Sequence, residues 1–74
     1  MAKSKGDTSV YRVIDVIGTS KVSWEEATRN AIGTASKSVR DLRIAEIQKL
    51  DVVIDDGKVS AFRARLQLSF KYEN

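Results

Sequence analysis

The side chains able to do chemistry in this 74-residue chain are carboxylates, cations and hydroxyls, because it contains neither Cys nor His. That composition excludes disulfides, thiolate sites and the usual zinc centres. General acid–base work would fall to Asp, Glu, Lys or Tyr, and no pair of carboxylates stands beside a nucleophile. The chain is therefore read as no enzyme. Two constellations remain. Asp51, Asp55 and Asp56 form the densest acidic cluster, of a kind that hard cations use. Calcium takes about six to eight oxygens near 2.3–2.6 Å, so Asp55 and Asp56 would need carbonyls, water or a neighbouring subunit. The same two residues are ordinary turn formers. Arg63, Arg65 and Lys71 alternate along one segment and share one face of a strand. Repeated by symmetry, that row makes a basic belt for phosphates. It serves equally for salt bridges to Glu46, Asp51 or Glu73.

The elements that position these groups follow from periodicity. Val10 to Ile17 is β-branched and nearly continuous in apolar residues, and Gly18 bounds it, which reads as a strand covered on both faces. Asp15 lies on that apolar strand, and a buried carboxylate there must face Arg or Lys, if need be across an interface. Ser23-x-x-Glu26 is a capping box, with Val22 as a weak staple on Ala27. Trp24, Ala27, Ala31, Ala35, Val39 and Leu42 keep the spacing of one helix face. Lys37 and Arg40 then suit the negative helix C-terminus, while Gly33 costs about 1 kcal/mol relative to Ala. Arg43 to Ile54 reads as a strand, Asp55-Asp56-Gly57-Lys58 as a tight hairpin turn, and Val59 to Lys71 as a strand. In the last strand Phe62, Ala64, Leu66, Leu68 and Phe70 point one way.

The fold class is α+β: a β-α-β-β chain whose three-stranded antiparallel sheet curls around one helix. Residues 10–74 form the single domain, and residues 1–9 read as a disordered tail, with basic residues but no apolar signal segment. A domain of this size needs a staple, and oligomerisation is the one left. The formal charge of +3 is too small and too little interleaved with aromatics for nucleic acid. No apolar run reaches the roughly 20 residues of a membrane helix. A cytoplasmic location fits the lack of Cys.

Gly18-Thr19-Ser20 closing the first strand, Ser23-Trp24-Glu25 opening the helix, Ser38-Val39-Arg40-Asp41-Leu42, Ile44-Ala45-Glu46-Ile47 and the terminal Leu66-Gln67-Leu68-Ser69-Phe70 resemble the dodecin family in order and spacing. The resemblance implies twelve chains forming a hollow sphere that binds and stores a small ligand. Flavin-binding dodecins hold the ring between a Trp at the start of the second strand and a Gln early in the third. Those positions are Ile44 and Arg63 here. Ile44 has no π-face for stacking, and a guanidinium lacks the acceptor of a Gln amide. Trp24 opens the helix rather than the platform strand, and is read as a core or interface residue. Val10-Tyr11-x-Val13-Ile14-Asp15-x-Ile17-Gly18-Thr19-Ser20, Ser23-Trp24-Glu25 and Ser69-Phe70-Lys71 are similar to the calcium dodecins, which also lack the platform Trp. The expectation is thus a homododecamer binding a cation such as calcium at Asp55 and Asp56, or an anionic cofactor at Ile44, Arg63 and Arg65. The alternatives are weak flavin binding at a degenerate site, or a structural assembly without ligand.

Overall fold

The computed structural model describes residues 10–71; the tail assigned to residues 1–9 lies outside them. Four elements follow one another: β1 (Tyr11–Ser20), α1 (Trp24–Ala35), β2 (Leu42–Asp55) and β3 (Lys58–Lys71). The sheet order is β1-β3-β2, antiparallel throughout. The β-α-β-β reading therefore holds, with β3 at the centre. α1 packs on β1 and β3. Ala27 and Ala31 meet Ala64, Leu66 and Leu68, flanked by Ile14, Val16, Ile32, Ala35 and Leu42. Leu66 and Leu68 are the largest fully buried side chains, each contributing on the order of 1.5–3 kcal/mol.

Small residues let the helix sit close. A Cβ on Gly18 would lie 2.0 Å from the Ala27 carbonyl oxygen and 2.8 Å from the Ala31 Cβ. β1 consequently runs through Gly18 and Thr19 to Ser20 rather than ending at Ile17, pairing them with Ala64, Arg63 and Phe62. The helix entry differs from a full capping box. Ser23 Oγ accepts from the Glu26 N–H at 3.0 Å as expected. Glu26, however, accepts from the buried Ser20 hydroxyl at 2.7 Å instead of reaching the Ser23 N–H. Ser20 Oγ in turn accepts from the N–H groups of Val22 (2.9 Å) and Ser23 (3.3 Å). The end of β1 thereby satisfies the donors that a box would leave to Glu26. Val22 is 72% exposed, so the staple is not made.

The helix also stops earlier than the apolar spacing predicts. It ends at Ala35, and Val39 and Leu42 lie beyond it. Ser38 and Val39 both donate to the Ala35 carbonyl, Lys37 donates to Thr34, and the Ser36 hydroxyl turns back to the Gly33 carbonyl. Serine hydroxyls that bond locally compete with helix continuation. No basic residue falls in the last turn, so Lys37 and Arg40 do not complement its dipole. Asp41, at φ 61°, redirects the chain, and Leu42 enters β2 opposite Phe70.

Beyond β1 the β2–β3 hairpin runs on as a two-stranded tip, residues 53–55 with residues 58–61, and the molecule measures 58 × 21 × 15 Å. Its radius of gyration is 15.8 Å, against about 11 Å for a compact chain of this length. Ile47, Leu50, Ile54 and Val59 are about half exposed or more. Gly18→Ala is expected to abolish stable folding, costing more than about 3 kcal/mol, because a backbone carbonyl cannot yield as a side chain would. Urea unfolding checks this, and a variant within about 1 kcal/mol of the parent would refute the backbone-to-backbone contact.

Candidate functional site

The sheet face turned away from α1 carries the polar groups, and register sets its rows. Asp15 faces Gln67, which faces Glu46; Ile17 faces Arg65, which faces Lys49; Thr19 faces Arg63, which faces Asp51. Ile44 lies opposite Ser69, whose hydroxyl contacts the Ile44 carbonyl at 3.5 Å. Three irregularities in the β2–β3 ladder produce this arrangement, between Leu42 and Ile44, Ile47 and Lys49, and Val53 and Ile54. Because of the second, Glu46 and Lys49 share a face although three residues apart.

Arg63 is committed within the protomer. Its Nε donates to Asp51 Oδ1 at 2.8 Å and its Nη2 to Oδ2 at 3.0 Å, a bidentate fork. The hydrogen bond from Arg63 holds the Asp51 carboxyl below the usual aspartate range; desolvation opposes it, and the charges of Arg63 and then Lys49 add to the lowering. The Arg63 guanidinium is correspondingly raised, chiefly by its hydrogen bond to Asp51. Behind the pair, Trp24 Nε1 donates to the Asp51 carbonyl at 2.9 Å. Its ring meets Phe62 edge-on, with centroids 5.2 Å apart. Trp24 thus fixes the β2 backbone at Asp51 from the opposite side of the sheet.

The acidic cluster read from the sequence is dispersed. Asp51 belongs to Arg63, and no three carboxylates come together among the described residues. Asp55 pairs with Lys58 across the turn, and Asp56 and Gly57 take φ 53° and 75°, the primed geometry that suits Asp-Gly. Asp15, expected to be buried, is exposed. It lines a 270 Å³ hollow with Gln48, Lys49, Arg65 and Gln67. Ile44 and Arg63 are not brought together. Ser69, the partner of Ile44, is six steps along β3 from Arg63, roughly 20 Å at strand rise. A small ligand touching both positions must draw on two copies of the chain. Lys49 is the residue that sequence reasoning missed, since the bulge that places it beside Arg65 leaves no mark in the pattern.

Because Asp51 titrates below its unfolded value, its contribution is present above the unfolded pKa and is lost as pH falls through the folded one. The Asp51 carboxyl, followed by NMR, is expected to titrate below about 3.9 in the parent and to return to that ordinary range in Arg63→Gln. An unchanged titration in the variant would refute the pairing.

A dodecin family profile matches residues 10–73. The chain is 44% identical over 63 residues to calcium dodecin of Mycobacterium tuberculosis, covering 85% of this chain and 89% of that protein. The solved structure of the calcium-chelating calcium dodecin of that organism superposes with a TM-score of 0.79 at 43% identity, over 88% of this chain and 93% of that one. The Streptomyces coelicolor dodecin structure gives a TM-score of 0.86 at 36% identity, over 90% and 96%. Fold and sequence agree along nearly the whole described chain: it belongs to the dodecin family.

Proposed function

We propose that this chain is a small-ligand binding and storage protein that assembles as a homododecamer and binds calcium in preference to flavin. The observation that carries the choice is the state of the two ring-contacting positions. Ile44 offers apolar contact without a π-face, and the Arg63 guanidinium is already engaged by Asp51. A flavin would have to displace a bidentate ion pair and stack on an aliphatic side chain. The 44% identity with calcium dodecin supports the cation. Asp55 and Asp56 are its proposed protein ligands, completed by oxygens from a neighbouring copy, since two carboxylates fall well short of calcium's coordination number. Arg63 and Arg65 remain the proposed contacts for an anionic ligand, which Ile44 would reach only from a second copy of the chain.

Assembly follows from the thin core and the uncovered apolar residues of β2. The apolar residues α1 leaves uncovered on β2 find partners when copies pack together. Storage rather than catalysis, and a cytoplasmic location compatible with the absence of Cys, complete the reading.

Calorimetry after chelator treatment is expected to give a saturable calcium heat, weakened at least about tenfold in Asp55→Asn/Asp56→Asn. Asn tolerates the positive φ of position 56, so the variant keeps the turn. Absence of heat up to millimolar calcium would sink the cation assignment. Riboflavin fluorescence should show no submicromolar quenching in the parent and tighter binding in Ile44→Trp. Sedimentation at micromolar concentration should find a species far heavier than 8.2 kDa, and a monomer would refute the assembly.

A further inference from the structure

Lys49 and Arg65 stand directly opposite one another on the face away from α1. Like charges in that relation destabilise a sheet. The row offers no relief, because the third member is Ile17. Asp51, the carboxylate of the next row, is taken by Arg63 through both oxygens. On the other side lie Asp15 and Glu46, and among the described residues no ion pair joins either of them to Lys49 or Arg65. Both cations are exposed. Two hollows flank the pair, one of 270 Å³ beside Asp15, Gln48 and Gln67, the other of 160 Å³ beside Ile17, Asp51 and Arg63. Lys49 and Arg65 line both.

We propose that Lys49 and Arg65 form an oxyanion site that takes the phosphate group of a small molecule. The inference rests on the small-ligand reading above and not on calcium. An ammonium and a guanidinium one strand spacing apart supply donors from two sides, and charge-assisted bonds to a shared phosphate turn their repulsion into attraction. Gln48 and Gln67 line the same hollow, and their amides are of the kind that adds neutral donors.

The test uses the assembled full-length protein in buffer free of multivalent anions. Inorganic phosphate and glycerol phosphate are titrated separately by calorimetry, with thermal melts against chloride at matched ionic strength. Saturable heat and a raised melting temperature are expected with phosphate and not with chloride. The tighter of the two probes tells free phosphate from a monoester. Lys49→Gln and Arg65→Gln should each weaken binding at least about tenfold. The sign of the stability change is the sharper readout. Without phosphate, Lys49→Gln should melt at or above the parent, because a repulsion is gone; with phosphate, the parent should overtake it. Equal responses to chloride and phosphate overturn the proposal, as does unchanged binding in both variants. So does dissociation of Lys49→Gln in phosphate-free sedimentation, which would assign the pair to a carboxylate of a second copy. Calcium is titrated separately on the parent, so a failed calcium titration counts against that reading alone.

Discussion

A side chain as small as a methyl group cannot be placed at Gly18 without meeting the Ala27 carbonyl, and the rest of the fold depends on that approach. With helix and strand in backbone contact, the space beneath α1 is filled by alanines, and among the described residues only Leu66 and Leu68 of the larger side chains are fully buried. A helix so close to β1 leaves most of β2 uncovered: it packs chiefly on β1 and β3 and reaches β2 at Trp24, whose indole donates to the Asp51 carbonyl. The thin core and the exposed aliphatic residues of β2 follow from that approach. Ser20 locks the same junction, tying the last residue of β1 to Glu26 and to the N–H groups that precede the helix.

The opposite face is governed by counting. The Asp56-Gly57 turn sets Asp55 against Lys58 and Ile54 against Val59. Continued without interruption, that register would put Asp51 opposite Phe62, on the wrong face for any polar pairing. The extra residue at Ser60 shifts the ladder by one, so Val53 meets Ala61 and Asp51 meets Arg63. A second extra residue at Gln48 restores the original count. Between the two irregularities lies the stretch that carries Arg63 with Asp51 and Arg65 with Lys49. Bulges that re-aim side chains recur beside functional sites, and here a pair of them creates the charged rows.

That explains what is legible in the sequence and what is not. β3 alternates cleanly, and its register partners on β1 follow with no interruption, so the sheet, the turn and the polar face of β3 can be read directly. β2 cannot, because two changes of parity scramble its pattern. Asp51 therefore reads as part of an acidic cluster when it is the counterion of Arg63, and Lys49 does not stand out at all. The helix is read too long for a different reason. Val39 and Leu42 keep helical spacing by coincidence, while Ser36 and Ser38, which end the helix through local hydrogen bonds, carry no periodicity. Asp15 reads as buried because its strand is apolar on both faces, yet within one protomer only the α1 side of that strand is covered.

Ligand binding and assembly are then one physical problem. The two positions that distinguish flavin-binding members lie roughly 20 Å apart on one protomer by strand rise. The turn carboxylates are too few to satisfy a calcium ion alone. Each proposed contact is a half-site on a surface that is itself uncovered. A single copy exposes aliphatic residues on both faces of the sheet, Ile47 and Leu50 beside the core row and Ile17 and Ile44 on the polar face. On the face away from α1 the charges are already partly committed: Asp51 holds Arg63 through both carboxylate oxygens, while Lys49 and Arg65 stand open to solvent.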